Sequence, residues 1–486
     1  MNQPLDLSAP TLQALSFDFQ TLSTAYRDGL SPRALVEEVY RRILDNRDQH
    51  IWTYLIPLDQ LIEQARRLEQ AAASGASLPL FGLPYGVKDN IDVDGLPTGA
   101  ACASFTYTAT RTAHVVERLQ AAGAILIGKQ NMDQFATGLV GIRSPQGYCR
   151  NPFNQDYIPG GSSSGSAVAV SSGQVSFSIG SDTGGSGRVP AALNNIVGLK
   201  PTPGRVSSYG FLYCNRSFDV PPVFALTSDD AYTVLDTIEG YDARDIYSVS
   251  IPKEDSPVRL PATFRFGLPS DKHLSFFGDQ LAQAQFEKAV RQLTDLGGTA
   301  VEIDFEPFAE AGKLVFNSAF IAERWLTYGA TAEPADRHVH PAVRLAILAA
   351  KRYSAADAFD AMYALESHKR RAWQQLDKVD VLVLPTAATI YRIKEVEADP
   401  VALNANLGYY TYFANPLRLS AISVPAGLRP DGLPFGVCFL AKSFEDKRLL
   451  PYARSFHDAV GGKLGATAHA YHSASGISTT TQGAIA

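Results

Sequence analysis

Apolar positions recur at intervals of three and four through SFDFQTLSTAYRDG, through ALVEEVYRRILDNRDQ and through PLDQLIEQARRLEQAAASG, so the chain opens with three amphipathic helices. Ser31-Pro32 has the form of a helix cap followed by a first-turn proline. After the loop GASLPLFG the pattern changes. Short apolar runs (LPYGVKDNIDV, AILIGKQN, VSFSIGSD) alternate with helical stretches (TAHVVERLQAAG, PAALNNIVG), which predicts an α/β unit whose sheet is covered on both faces. The alternation returns as FRFGLP, GDQLAQAQFEKAVRQLTDLG and TAVEIDF. A helical block from about Phe308 to Lys378 and the strand VDVLVLPTA follow. Residues 417–441, LRLSAISVPAGLRPDGLPFGVCFLA, read as a buried helix or strand, a turn at Pro430–Gly432 and a strand. The expected division is helices over 11–75, a core over 78–250, and a C-terminal part carrying the helical insertion at about 308–378. Residues 463–486, small and polar, are expected to form a disordered tail.

Composition narrows the function classes. The 486 residues are 45% hydrophobic and 19% charged, which excludes disorder for most of the chain. The 43 Lys and Arg are scattered among 49 Asp and Glu for a net charge of -6, so there is no basic stripe for nucleic acid. No apolar run is long enough to span a bilayer, and MNQPLDLSAP has no secretory pattern, so a cytoplasmic protein is expected. Cys102, Cys149, Cys214 and Cys438 lie far apart without a CxxC pair, which predicts buried free thiols. His338 and His340 lack a third ligand, and no dinucleotide fingerprint occurs. No metal and no cofactor are expected.

The chemistry concentrates in Pro159–Arg205. Gly160 and Gly165 have phosphate-loop spacing, but Ser166-Ala167 stand where Lys-Ser/Thr is required. Gly161–Gly165 satisfies GxSxG, yet a loop rather than a strand precedes it. Asp182-Thr183-Gly184 would need a second such loop for an aspartic dyad, which only a homodimer supplies; a homodimer is left open. A flexible linker does not suit a run set between AVAV and VSFSIG.

GVKDNIDV, GGSSSGSA, GSDTGGSGRVPAA and GLKPTPGR, in that order, resemble the amidase signature family, and the likeness extends more thinly to PAGLRPDGLPFGV. The resemblance implies an α/β fold with a central mixed, twisted sheet between helices, and cleavage of linear amide C–N bonds by a Ser-Ser-Lys triad. By motif position the nucleophile is Ser186, the bridging serine Ser162 and the base Lys88, with a cis peptide expected at Gly161–Ser162. These residue types suit the reaction. An amide is a poor electrophile with a poor leaving group, so it needs an activated nucleophile, a stabilised oxyanion and a proton for the nitrogen. Lysine acts as a base only when neutral, and the apolar run before Lys88 provides the burial that favours neutrality. Gly184 and Gly185 let successive N–H groups converge, so Thr183, Gly184, Gly185 and Ser186 are the oxyanion-hole candidates. Asp182 and Arg188 are read as an ion pair shaping that loop, and Ser163, Ser164 and Ser166 as loop and helix-cap hydroxyls.

Within that family, NMDQFATGLVGIRSP, NNIVGLKPT and AFIAERW look like allophanate hydrolases, enzymes of urea and nitrogen metabolism. The likeness implies that Arg324 binds a substrate carboxylate, with Gly138 also in the pocket; the competing reading is a helix-surface arginine beside Glu323. Three positions depart from that subgroup: Phe316 replaces its tyrosine, Gly184-Gly185-Ser186 replaces its AGS, and Val220 replaces its cysteine. The chain also stops where many of those hydrolases continue, so no product-processing domain is expected. A small-molecule amide substrate, without nucleic acid or membrane, is the implied partner. A general small-amide amidase and an amidase-like subunit of a tRNA-dependent amidotransferase stay open.

Overall fold

The computed structural model describes residues 12–46, 50–250, 259–335 and 337–472. The three opening helices form as the periodicity predicts, over Phe19–Arg27, Pro32–Asp45 and Leu58–Ala73. The first two start on side-chain caps: Asp18 accepts the Thr21 N–H at 2.9 Å, and Ser31 accepts that of Ala34 at 3.1 Å with Pro32 behind it.

The described residues hold thirteen strands, the first of them before the third helix: β1 (Trp52–Leu55), β2 (Pro84–Lys88), β3 (Pro97–Thr98), β4 (Tyr107–Thr108), β5 (Ile125–Gln130), β6 (Phe177–Ile179), β7 (Val197–Lys200), β8 (Val223–Ala225), β9 (Phe264–Pro269), β10 (Gly298–Ile303), β11 (Val381–Pro385), β12 (Ser420–Leu428) and β13 (Pro434–Ala441). Eleven build one sheet in the order β1-β5-β2-β6-β8-β7-β12-β13-β11-β9-β10, and β3 pairs with β4. The sheet is mixed, with β2 parallel to β5 and β6, and β12 antiparallel to β7 and β13. Its central strands are buried from end to end, which requires cover on both faces. Alternate residues confirm it. Val381, Val383, Val437 and Phe439 join one hydrophobic cluster, while Leu382, Leu384, Cys438 and Leu440 join another.

The ambiguous stretch 417–441 is therefore a hairpin, with Gly432 at φ 81° in its turn. The helical block divides into Glu306–Asn317, Ala322–Ala332, Pro341–Leu348 and Ala355–Leu376, all between β10 and β11. Residues 463–472, expected to belong to a disordered tail, are instead packed on the fold. Leu464 is buried, Lys463 bridges Ala470, the Ala466 N–H donates to Ser171 O at 2.8 Å, and Tyr471 stacks on His457 at 3.9 Å. Residues 473–486 lie outside the described residues. Among the described residues no helix is long and apolar enough to cross a membrane. All four cysteines are free and buried.

The sheet carries the candidate site directly. Lys88 ends β2, Ser181 and Asp182 follow β6, and Gly198 of β7 lies beneath the turn after Ser186. A Cβ on Gly198 would stand 2.2 Å from Gly187 O and 2.6 Å from Ala191 Cβ. Gly198→Ala is expected to destabilise the fold by about 1–3 kcal/mol through this overpacking, read as a lower urea midpoint at unchanged slope.

Candidate active site

Three loops converge at the carboxyl end of β2. Lys88 is fully buried, and its Nζ donates to Ser162 Oγ at 2.6 Å, to Ser181 Oγ at 2.9 Å and to Ser181 O at 3.4 Å. Ser162 Oγ in turn donates to Ser186 Oγ at 2.9 Å. The peptide Gly161–Ser162 is cis, as the resemblance implied. Three residues far apart in sequence thus form one hydrogen-bonded chain of hydroxyls and an amine. Burial is the largest influence on Lys88 and lowers its pKa to about 8, against the opposing field of Asp219 and more distant acidic groups. An amine poised there changes charge readily near neutral pH. When it is neutral its lone pair can accept, and both hydroxyls can reverse, so that Ser186 donates to Ser162 and Ser162 to Lys88.

The loop bearing Ser186 is held from below. Asp182 accepts the N–H groups of Gly185 and Gly187 at 2.8 Å each, and Arg188 Nε and Nη2 at 3.0 Å each. Arg188 also donates to Thr411 O and to Asn415 Oδ1. Burial pushes the Asp182 carboxyl up, but Arg188 and the backbone donors hold it below the usual range. The expected pair is therefore made, and it is fully buried.

The oxyanion-hole set needs one correction. The Gly185 N–H is already spent on Asp182. The N–H groups of Thr183, Gly184 and Ser186 donate to no acceptor among the described residues, so these three remain available. Glycine at 184 and 185 answers a packing need as well: a Cβ at 185 would meet Thr411 Oγ1 at 2.4 Å, and one at 184 would meet Tyr412 Cδ1 at 3.0 Å.

Arg324, Gly138 and Phe316 line one cavity of about 440 Å³ with Thr137, Arg143 and Tyr412. Ser186 is not on its wall. Two of its lining residues lie beside Gly184: the rings of Phe316 and Tyr412 are 4.3 Å apart, and a Cβ on Gly184 would meet Phe316 Cε2 at 3.5 Å. Arg324 is fully buried, which removes the helix-surface reading. Its Nε donates to Cys214 Sγ at 3.0 Å, its guanidinium lies 4.7 Å over the Phe316 ring, and neither Nη1 nor Nη2 has a partner. Glu323 bonds instead to the Ser217 N–H. Two free guanidinium donors in a buried cavity wall can bind a planar anion through both nitrogens.

Several neighbours carried no role in the sequence reading. Ser181 supplies the second hydroxyl on Lys88 and is itself held by Asn90 Nδ2 at 3.1 Å. Asp219 accepts the Thr183 hydroxyl and the Cys214 and Asn215 N–H groups, and burial raises its pKa to about 6. Ser181 was visible inside GSDTGGS; Asp219, 36 residues beyond Thr183, had no local signal. Ser163 sits at the N-cap of the helix Ser164–Ser171, but its hydroxyl bonds Ser181 O rather than the helix. Among the described residues no group of His, Cys, Asp and Glu could hold a metal ion.

A family model described as amidase matches residues 34–450. The chain is 39% identical to urea amidolyase of Saccharomyces cerevisiae over 83% of its own length, and spans 22% of that protein. It is 36% identical to a glutamyl-tRNA(Gln) amidotransferase subunit of Exiguobacterium sibiricum, covering 91% of this chain and 97% of that one. The structure of Kluyveromyces lactis allophanate hydrolase superposes with a TM-score of 0.86 at 37% identity, over 92% of this chain and 73% of the other. The chain therefore spans about a fifth of the length of the urea amidolyases it matches.

The lysine leaves a thermodynamic signature. Unfolded, Nζ holds its proton up to pH 10.5; folded, it releases it at about 8. Charge on the buried amine thus costs stability below pH 8, and the cost fades as pH rises to 10.5. Lys88→Met is expected to raise stability at pH 6 by up to about 3 kcal/mol, with the gain shrinking between pH 8 and 10.5 in urea titrations.

Proposed function

Because this chain belongs to the amidase family, we propose that it cleaves the C–N bond of a small carboxylate-bearing amide, such as allophanate or malonamate, through a Ser-Ser-Lys relay and an acyl-enzyme. Neutral Lys88 takes the proton of Ser162 as Ser162 takes that of Ser186, and Ser186 Oγ bonds to the carbonyl carbon. The oxygen gains the negative charge and is met by the N–H groups of Thr183, Gly184 and Ser186, each worth about 3 kcal/mol of barrier. Collapse of this tetrahedral species breaks the C–N bond, and the relay run backwards delivers the proton to the departing ammonia. Water then attacks the ester, loses a proton to the relay and releases the acid, restoring Ser186.

The amine-hydroxyl chain in a dry setting supports the relay. The observation that carries the substrate assignment is the Arg324 guanidinium, buried with two donors unpartnered, on a residue that lines a cavity beside the Ser186 loop. A buried cation of this kind costs free energy until an anion meets it. Phe316 offers a ring face but no hydroxyl, so the ligand has one hydrogen-bonding partner fewer than the tyrosine of the allophanate hydrolase pattern would give. That loss leaves room for a related amide or ureido acid as the physiological substrate. A cytoplasmic place in nitrogen metabolism belongs to the same proposal, as does operation without metal or cofactor.

The near full-length likeness to an amidotransferase subunit favours a second reading, in which the same relay serves ammonia transfer with partner subunits. Ammonia release by the purified chain separates the two. Turnover of allophanate or malonamate without a partner is expected; no turnover of any amide would favour the second reading.

Ser186→Ala is expected to lower kcat by about 10⁴-fold or more while circular dichroism and urea midpoint stay those of the parent; retained turnover would remove Ser186 from the mechanism. Arg324→Ala is expected to raise KM for malonamate at least tenfold more than for propionamide. An equal effect on both amides would exclude carboxylate binding.

A further inference from the structure

Two free nitrogens on Arg324 raise the question of what aims them. A guanidinium offers a carboxylate either the edge of Nε with one Nη or the edge of both Nη atoms. In this chain the first edge is blocked, because Nε donates to Cys214 Sγ at 3.0 Å. Cζ itself lies over the Phe316 ring, 4.7 Å from its centroid. Only the Nη1/Nη2 edge is left for a ligand.

The sulfur is fixed in its turn. The Cys214 N–H donates to Asp219 Oδ2 at 2.6 Å, and the other Asp219 oxygen accepts the Asn215 N–H at 3.2 Å and the Thr183 hydroxyl. The same short segment is tied twice more beside the arginine: the Ser217 N–H donates to Glu323 Oε2 at 2.8 Å on the same helix, and Asn215 Nδ2 to Phe320 O at 2.6 Å in the turn that precedes it. Residues 214–219 thus run from Arg324 to the loop of Ser186 with hydrogen bonds at both ends. Asp219 closes the far end on Thr183, three residues before the nucleophile.

We infer that Cys214 is a positioning residue for substrate selection: its sulfur holds Arg324 in the one orientation that presents both Nη atoms, and the segment to Asp219 fixes the span between that fork and the oxyanion loop. This rests on the carboxylate reading above. Loss of the sulfur leaves a buried Nε–H without an acceptor, and the arginine regains its freedom to turn. Selection for an acid then weakens even though the charge remains.

The experiment compares kcat/KM for malonamate with that for propionamide by ammonia release. Cys214→Ala and Cys214→Val, the second of which refills the volume without an acceptor, are expected to lower the malonamate-to-propionamide ratio about tenfold, through KM for malonamate. Cys214→Ser, whose hydroxyl can accept the Nε–H, is expected to restore the ratio to within threefold of the parent. An unchanged ratio in Ala and Val overturns the inference. A serine variant that falls as far as valine also overturns it, since volume and not the acceptor would then matter. If the parent itself fails to prefer malonamate, the carboxylate reading fails and takes the inference with it; a parent preference that survives every substitution refutes the inference alone.

Discussion

An uncompensated buried amine is the constraint on which the site depends. Lys88 gives its Nζ three oxygen acceptors, none of them a carboxylate. Lys129, equally buried on neighbouring β5, has Asp89 at 3.8 Å. Burial lowers the pKa of both; the Asp89 carboxylate offsets part of that for Lys129 by favouring its charged form, whereas the hydroxyls on Lys88 can pair with either charge state. The acidic groups that bear on Lys88, Asp219 foremost, moderate the effect of burial rather than cancel it. The pKa is left within reach of neutral pH.

Everything around that amine works to keep the two hydroxyls in line. The Asp182–Arg188 pair is fully buried, and its carboxylate spends two of its bonds on the backbone N–H groups that flank Ser186. A buried pair is seldom a net source of stability, and breaking one by removing a partner costs about 3–5 kcal/mol. Here its return is geometric: Arg188 also bonds Thr411 and Asn415, so the Ser186 loop is pinned to a segment more than two hundred residues away. Asp219 does the equivalent for Thr183 on the other side. Among the described residues the N–H groups of Thr183, Gly184 and Ser186 are left unpaired between these two anchors.

Much of this was legible in the sequence, for identifiable reasons. The three opening helices declare themselves because each buries only one face. Lys88, Ser162 and Ser186 are singled out by motif position, through the resemblance to the amidase signature family, and the fold brings the three into one hydrogen-bonded chain. The helix Ser164–Ser171 could not be read as such, since every residue in it is buried and no polar face marks its period. The stretch 463–472 looked featureless because it is tied down by backbone groups, as where Asn195 Nδ2 donates to the carbonyls of Lys463 and Gly465. The hold of Cys214 on Arg324 spans 110 residues, and no local pattern encodes it.

The most direct test follows the Lys88 amine itself. In protein carrying ¹⁵N-labelled lysine, with the resonance assigned by its loss in Lys88→Met, the Nζ signal is expected to titrate near pH 8, and kcat/KM for the preferred amide is expected to rise through the same pH. A titration above pH 10, with activity that ignores the protonation of this amine, would contradict the account.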